Sequence, residues 1–318
     1  MLICHSAQDG KPLPVICLAG PTGSGKTALA LVLAEELGGE IINADSRQVY
    51  ADFPIITAQP PAEERACCPH HGYGFLPSDR KISAGHWAET SCEIVHAVLK
   101  RGKTPLLVGG TGLYFQTLLR GIAAVPPVDP AVGAKLEARL EDVGLTVLYR
   151  ELADVDAAYA ARIHHNDKQR ILRALEVFYA TKHPFTWWHA NAMSAPLCSG
   201  PLIVLKAELD ALTPRLAQRI DRMIADGAFE EAGNALARCP DASAPVWSGI
   251  GAAEVLACLQ GRISRMECVE FWLKRTRAYA KRQLTWFRAR EEAHFIMPED
   301  AASALSLARE HTFGEECS

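Results

Sequence analysis

Residues 20–27 form a glycine-rich stretch of the kind that binds phosphate groups. The stretch follows a short apolar run, which predicts a buried strand, and it precedes a helical segment. Glycines let backbone N–H groups turn inward around an anion, while Lys26 supplies a cation and Thr27 a hydroxyl suited to Mg²⁺. The pattern predicts a P-loop that holds a phosphate or diphosphate, with or without a nucleoside. Its predicted ligands are Gly20, Pro21, Thr22, Gly23, Ser24, Gly25, Lys26 and Thr27.

A carboxylate stands directly after the second apolar run. Residues 40–44 predict a strand, and Asp45-Ser46-Arg47-Gln48 follow it. Ligands of an open parallel sheet lie beyond the carboxyl ends of its strands, so we expect Asp45 at the same sheet edge as Lys26. A carboxylate that faces a phosphate site needs Mg²⁺ between the two or acts as a base, whereas the alternative is a turn cap. We interpret Asp45 as a functional residue.

The third predicted strand, residues 105–108, lacks the acid that hydrolytic P-loop enzymes place at its end. The strand runs instead into Gly109-Gly110-Thr111. Glycines and a hydroxyl favour the close approach of a bulky ligand. The sequence therefore disfavours a motor ATPase or a GTPase.

Basic residues cluster locally, although the net charge of the chain is −4. The segment from Lys274 to Arg290 contains no Asp or Glu, and we interpret it as a nucleic-acid-binding stripe, the alternative being a solvated helical face. The basic residues of this stripe are Lys274, Arg275, Arg277, Lys281, Arg282, Arg288 and Arg290. A helix predicted at 214–226 also presents three arginines on one face, as a solvated surface or an anion clamp. These arginines are Arg215, Arg219 and Arg222.

A parallel sheet with flanking helices would position these residues. Apolar runs predict strands at 15–19, 40–44, 105–108, 202–206 and 294–297, and a final long helix is predicted at 264–291. After Pro126-Pro127 the pattern changes to short helical segments, and Trp187-Trp188 are expected in a loop. We predict an α/β fold with a P-loop NTPase-like parallel sheet core flanked by helices, formed by residues 1–125 and 201–318. A helical insertion domain is predicted at 126–200.

The composition is that of a soluble globular protein, with 49% hydrophobic and 22% charged residues in a chain of 318. We expect no secretory leader and no transmembrane segment, since the longest apolar runs have the length of strands. The ten cysteines lack C-x-x-C spacing, which indicates reduced thiols in a cytoplasm.

Several blocks of sequence carry a family resemblance when they are taken together. They read Gly20-Pro-Thr-Gly-Ser-Gly-Lys-Thr27, Ile42-Asn-Ala-Asp-Ser-Arg-Gln-Val-Tyr50, Val108-Gly-Gly-Thr-Gly-Leu-Tyr-Phe115, Arg162-Ile-His-His-Asn-Asp-Lys-Gln-Arg-Ile-Leu-Arg-Ala-Leu-Glu-Val177 and Ala280-Lys-Arg-Gln-Leu-Thr-Trp-Phe-Arg288. In these blocks and their order, the chain resembles the bacterial tRNA dimethylallyltransferases, which are isopentenyltransferases that act on tRNA. It differs from the family pattern at Gly23 (usually Ala), Gln59 (commonly Lys) and Ala252 (frequently aromatic).

The resemblance implies that a dimethylallyl group moves from dimethylallyl diphosphate to the N6 amine of adenosine 37, beside the tRNA anticodon. The P-loop would hold the diphosphate, Asp45 would act as the general base, and Thr22 and Arg219 would hold the leaving diphosphate. Mg²⁺ would neutralise its charge, with Thr27 as the protein ligand. The implied tRNA contacts are Asp45, Ser46, Arg47, Gln48, Thr111, Gln169, Arg170, Ile171, Leu172, Arg173, Lys281, Arg282 and Gln283.

The implied partners are dimethylallyl diphosphate and the anticodon stem-loop of tRNA, which the insertion would help to bind. We expect a cytoplasmic monomer without membrane contact. Three alternatives stay open at this point. A P-loop small-molecule kinase shares the P-loop and a catalytic Asp, an isopentenyltransferase acting on free adenylate shares the chemistry, and a non-catalytic RNA-binding module explains the basic stripe.

Overall fold

The computed structural model describes residues 11–312, and the chain divides into two compact units. The first unit comprises the residues up to Leu119 together with those from Pro196 onward, and the second comprises Arg120–Ala195. The insertion was predicted at 126–200, so the second unit begins and ends a few residues earlier than that prediction.

A six-stranded parallel sheet forms the centre of the first unit, with the strand order β4-β3-β5-β2-β7-β8. Strands β2, β3 and β7 are buried at every position, as expected for a parallel sheet that is covered on both faces. Two further short strands, β1 and β6, pair in parallel beside the sheet. The strands are β1 Leu13–Pro14, β2 Ile16–Ala19, β3 Gly39–Asn43, β4 His70–His71, β5 Thr104–Gly109, β6 Cys198–Ser199, β7 Leu202–Leu205 and β8 Ala293–Ile296.

Helices cover both faces of this sheet and extend into a helical layer beyond it. One apolar core lies between the sheet and the helices α3 and α4, and a second lies between the sheet and α1 and α14. A third core joins α10–α13 to the segment that follows β3. The helices of this unit are α1 Lys26–Leu37, α2 Ala62–Cys67, α3 Ala84–Lys100, α4 Gly112–Arg120 (its last residue assigned to the second unit), α10 Leu209–Ala225, α11 Ala228–Arg238, α12 Ala252–Leu259, α13 Arg265–Arg288 and α14 Ala301–Thr312.

The second unit is helical and has an apolar core of its own, built around Leu148, Leu152, Ile171 and Leu175. Its helices are α5 Pro130–Val143, α6 Leu145–Val155, α7 Ala157–Ala160, α8 Lys168–Thr181 and α9 Phe185–Asn191. Asp156 stabilises the fold at two points, because it caps α7 and also accepts hydrogen bonds from the backbone and hydroxyl of Thr186.

Three local predictions were wrong. Trp187 and Trp188 lie in α9, not in a loop, and the Trp188 indole donates a hydrogen bond to Thr181. Helix α10 begins at Leu209, so Pro214 lies inside it and not at its start. The residues 57–87 are rich in Pro, Gly and His, a composition that predicts loops with one brief helix near 61–65, but the segment also contains the edge strand β4 and the start of α3.

The long helix α13 begins as its sequence indicates. Ser264 and Glu267 form a capping box in which each side chain bonds the backbone of the other. Within residues 11–312, no helix combines the length and the apolar character needed to cross a membrane.

Candidate active site

The glycine-rich loop lies between β2 and α1, at the carboxyl edge of the sheet. Gly23 and Gly25 have φ values of 78° and 91°, which only glycine adopts without strain, and they let the chain turn tightly into α1. The Nζ of Lys26 donates hydrogen bonds to the carbonyl oxygens of Gly20 and Pro21 at 3.0 and 2.7 Å. The lysine is therefore held within the loop, in reach of an anion bound there.

The surroundings of Lys26 make its ammonium group easier to deprotonate. Burial and the nearby Arg219 guanidinium lower the pKa of Lys26 to about 8, and Asp45 opposes this shift. A bound diphosphate would favour the charged lysine, since opposite charges stabilise each other strongly in a partly buried site.

Asp45 lies directly after β3 and is fixed by local hydrogen bonds. The side chain of the buried Asn43 accepts the Asp45 N–H at 2.8 Å and donates to the Asp45 carbonyl at 3.0 Å. The Asp45 carboxylate accepts the Arg47 N–H at 2.8 Å. Asp45 is thus a turn cap, and its carboxylate also lines the cavity at the P-loop.

The loop after β5 packs against the turn after β3. A Cβ atom on Gly109 would lie 2.1 Å from the Ala44 carbonyl oxygen, so only glycine permits this approach. Thr111 accepts the Ser46 N–H at 3.0 Å, and its hydroxyl also donates to the Ser46 hydroxyl at 3.3 Å. These contacts bring the predicted residues Ser46 and Thr111 together beside Asp45.

Of the three arginines predicted on one helical face, only Arg219 reaches the P-loop. Its Nη1 lies 3.5 Å from the Thr22 hydroxyl, and burial lowers its pKa. Arg215 and Arg222 are exposed on α10. The anion-clamp interpretation stays a prediction for Arg219, whereas the exposure of the other two fits a solvated surface.

Two cavities meet at these residues. The smaller, of about 150 Å³, is lined by the P-loop with Lys26 and Thr27, and we call it the phosphate cavity after the predicted ligand of this loop. The larger, of about 280 Å³, is lined mainly by apolar and aromatic side chains. The residues that line both cavities are Thr22, Asp45, Thr57 and Arg219. The aromatic side chains of the larger cavity are Tyr50, Phe53, Trp272 and Tyr279.

Arg47 and Gln48, predicted as tRNA contacts, make protein contacts in the structure. Arg47 donates to the Ser248 hydroxyl at 3.1 Å, and it lines the larger cavity. The Gln48 amide donates to the carbonyl oxygens of Thr57 and Ala58, and so holds the turn at Ala58, whose φ is 52°. Gln48 therefore shapes the rim of the phosphate cavity.

The predicted segment 169–173 is divided between surface and core. Gln169, Arg170 and Arg173 are exposed on α8, whereas Ile171 and Leu172 are buried in the core of the second unit. The two apolar residues have no free surface for tRNA, because their side chains fill the space between α5, α6 and α8. They support the exposed face of the helix instead.

The basic stripe on α13 is partly neutralised. Arg275 pairs with the buried Glu254, Arg277 with Asp210, and Arg288 more loosely with Glu208. Lys274, Lys281 and Arg282 are exposed, and form no ion pair with the rest of residues 11–312. The cationic surface is therefore smaller than the sequence suggested.

Gln283, predicted as a tRNA contact, is 5% exposed and bonds the protein at both ends of its amide. Tyr279 and Glu64 are among the residues at the site that were not predicted. Tyr279 lines the larger cavity one helical turn before Gln283. Arg275, which lines the same cavity, precedes Tyr279 by four residues and so lies on the same face of the helix, and this spacing could have indicated Tyr279. Glu64 of α2 lines the phosphate cavity, and burial raises its pKa, but no motif marks it.

Comparisons with known proteins agree with this geometry. A family model described as IPP transferase matches residues 48–290. A tRNA dimethylallyltransferase from Desulfovibrio desulfuricans is 63% identical over 304 residues, covering 96% of this chain and 94% of the relative. One from Nitratidesulfovibrio vulgaris is 50% identical over 325 residues, covering 98% and 96%.

Solved structures show the same architecture. A tRNA isopentenylpyrophosphate transferase from Bacillus halodurans superposes with a TM-score of 0.69 at 29% identity, covering 95% of this chain and 99% of the other. A eukaryotic dimethylallyltransferase acting on tRNA gives a TM-score of 0.74 at 28% identity, covering 96% of this chain and 77% of the other. By the family match and the identity over nearly its full length, this chain belongs to the IPP transferase family.

Proposed function

We propose that this protein transfers a dimethylallyl group from dimethylallyl diphosphate to the N6 amine of adenosine 37 in tRNA, and releases diphosphate. The relatives' names and the family match support the reaction. The structural observation that carries the proposal is the junction of the two cavities. Asp45, Thr22 and Arg219 stand where a phosphate cavity meets a larger, mainly apolar one.

This junction suits a substrate with a charged half and an apolar half. The diphosphate takes the P-loop, and the dimethylallyl group points into the aromatic cavity, where the adenine also enters. A base from the anticodon loop must leave its stack to do so, which costs a few kcal/mol or less when the base is already unpaired. The reacting carbon then lies beside Asp45.

The transfer forms one bond and breaks another. The N6 nitrogen bonds the first carbon of the dimethylallyl group, the carbon–oxygen bond to the diphosphate breaks, and its electron pair stays on the diphosphate. The proton released from N6 goes to the Asp45 carboxylate, which the turn after β3 holds in place. Asp45 thereby acts as a general base.

Three groups stabilise the leaving diphosphate. The Thr22 hydroxyl and the Arg219 guanidinium lie together, and the Lys26 ammonium lies within the loop. Charge that develops on the departing oxygen is best stabilised by groups already fixed around it.

The residues at the P-loop fit a magnesium ion bound through the diphosphate. Thr27 is exposed at the start of α1 and lines the phosphate cavity, where Asp45 and Glu64 supply further oxygen atoms. Mg²⁺ often binds few protein groups and takes substrate phosphate oxygens as its other ligands. When bound, the ion would neutralise the leaving group, with Thr27 as its protein ligand.

We infer that tRNA is held by exposed cations on both units. Lys281, Arg282 and Lys274 on α13 and Arg170 and Arg173 on α8 are exposed, although Arg170 and Arg173 also contact neighbouring acids. We further propose that the enzyme works as a monomer in the cytoplasm, where tRNA is available. Light scattering with and without tRNA would test the monomer.

One assay separates this function from its alternatives. Purified protein is incubated with labelled dimethylallyl diphosphate and, in separate reactions, unmodified tRNA, AMP or ATP. Label in tRNA alone is expected. Label in AMP or ATP would indicate a free-nucleotide isopentenyltransferase, and ATP hydrolysis that is lost in Lys26→Ala would indicate a kinase.

A further inference from the structure

Gln283 connects three separate segments of the first unit. Its Oε1 accepts the backbone N–H of Thr22 in the P-loop at 3.0 Å, and its Nε2 donates to the carbonyl oxygen of Gly110 after β5 at 2.9 Å. Each end of the amide therefore bonds a different loop at the carboxyl edge of the sheet. Because the side chain is buried, these bonds are shielded from water.

The backbone at Gly110 leaves no space for a side chain beside the Gln283 amide. A Cβ atom on Gly110 would lie 2.1 Å from the Gln283 Nε2 atom. The same Cβ atom would lie 3.3 Å from the carbonyl oxygen of Gly20. Gly110 and Gln283 are thus matched in size, and a change at either position must disturb the other.

The bond to Thr22 bears directly on the diphosphate site. Thr22 is the P-loop residue whose hydroxyl contacts Arg219, and Gln283 itself lines the phosphate cavity. Because the Thr22 N–H donates to Gln283, the backbone of Thr22 has a fixed orientation. That orientation fixes the direction of the Thr22 Cα–Cβ bond, and so limits the positions in which its hydroxyl can meet Arg219.

We propose that Gln283 is a positioning residue of the diphosphate site, one that holds Thr22 and the loop after β5 in register, and is not a surface contact for tRNA. This inference rests on the proposed function, because it assigns Gln283 a part in binding the diphosphate of that reaction. Its neighbours on α13 behave differently. Lys281 and Arg282 are exposed, so the same stretch of helix presents cations outward and Gln283 inward.

The first test replaces the amide by an apolar group of similar length. Gln283→Met fills the space but cannot bond Thr22 or Gly110. We expect the affinity for inorganic diphosphate with Mg²⁺, measured by calorimetry, to fall about tenfold, the effect of removing one or two buried hydrogen bonds. The KM for dimethylallyl diphosphate should rise with it, while the affinity for tRNA stays within about twofold of wild type.

Thr285→Ala is the matched control on the same helix. The Thr285 hydroxyl is exposed, and within the part of the chain that the structure describes it bonds only the Lys281 carbonyl of its own helix, at 3.0 Å. This variant should bind both ligands as the wild type does. A melting temperature for each variant separates a loss of folded protein from a loss of binding.

The second test uses the matched pair. Gly110→Ala should weaken diphosphate binding in the wild-type protein, because the new methyl group displaces the Gln283 amide. In a Gln283→Ala background that clash is absent, so adding Gly110→Ala should have a smaller effect there. Such coupling between the two positions is the expected result.

Two outcomes would contradict a positioning role for Gln283. Unchanged diphosphate affinity with a large loss of tRNA affinity in Gln283→Met would overturn the inference, as would independent effects of Gly110→Ala and Gln283→Ala. If Gln283→Met does not fold, Gln283→Glu keeps the bond to Thr22 but faces the Gly110 carbonyl with a carboxylate, and it should also weaken diphosphate binding without changing tRNA affinity. A wild-type protein that binds diphosphate but transfers no dimethylallyl group would contradict the proposed function and leave the role of Gln283 standing.

Discussion

The Arg219 guanidinium lies 3.5 Å from the Thr22 hydroxyl, although the two residues are 197 positions apart in the chain. The contact joins α10 to the P-loop at the point where the two cavities meet. A cation of this kind, partly removed from water, is suited to bind an anion. In the proposed reaction, this pair would hold the leaving diphosphate.

Arg219→Ala should therefore lower kcat by about 10²–10³-fold, because a fixed group that stabilises the leaving charge is removed. The KM for dimethylallyl diphosphate should change less if the contact tightens in the transition state. Arg222→Ala is the control, since Arg222 is exposed one turn further along α10. Steady-state kinetics check both variants, and equal effects would assign Arg219 to the solvated surface.

Asp45→Asn should lower the transfer rate by about 10²–10⁴-fold, the usual contribution of a positioned general base. An Asn side chain still accepts the Arg47 N–H, so the turn after β3 and the binding of tRNA should be retained. Single-turnover transfer and a filter-binding assay measure the two properties separately. Near-normal turnover would mean that Asp45 is only a turn cap.

The pKa of Lys26, lowered by burial and by Arg219 to about 8, predicts a pH dependence of substrate binding. The protonated lysine binds the diphosphate, so affinity should be level between about pH 7 and pH 8 and fall above it, as the free protein loses this proton. Dimethylallyl diphosphate is the ligand to use, because a terminal phosphate completes its ionisation at about pH 6 and stays fully charged across this range.

Lys26→Arg provides the control for that dependence, since arginine stays charged at every pH tested. Its affinity for dimethylallyl diphosphate, whatever its level, should not decline between pH 8 and 10 as that of the wild type does. A decline of the same size in both proteins would show that another group is titrating.

The strand-end rule placed Asp45 beside Lys26 correctly, because both follow strands of one parallel sheet. The inward role of Gln283 could not be predicted in the same way. Its partners are 261 and 173 residues away, and its neighbours in the sequence are the basic residues of a surface stripe. Helical periodicity indicates which face of the helix is buried. It does not show that a polar side chain on that face forms hydrogen bonds with two distant backbone groups.

The same limit explains the division within residues 169–173. The family pattern marks the segment as a block, but the helical period sends Ile171 and Leu172 inward and leaves Gln169, Arg170 and Arg173 outward. Likewise, the ion pairs that neutralise part of the α13 stripe involve Glu254, Asp210 and Glu208, which are distant from it in sequence.

The exposed cations of α13 should determine how tRNA binding responds to salt. Replacing both Lys274 and Lys281 with Ala should lower the magnitude of the log–log salt slope by roughly 0.9 for each phosphate that the variant no longer neutralises. Arg277→Ala should change the slope less, because Arg277 is already paired with Asp210 at 2.7 Å. Binding across a salt series measures this, and identical slopes in wild type and double variant would place the tRNA elsewhere.

The identity of the modified nucleoside shows whether this protein carries out the proposed transfer. Unmodified tRNA is incubated with wild-type protein, dimethylallyl diphosphate and Mg²⁺, then digested, and the fragments are mapped by mass spectrometry. We expect a dimethylallyl group on the N6 nitrogen of adenosine 37, and almost none in a reaction with Asp45→Asn. A dimethylallyl group at another nucleoside, or equal modification by the wild type and Asp45→Asn, would contradict the proposed transfer.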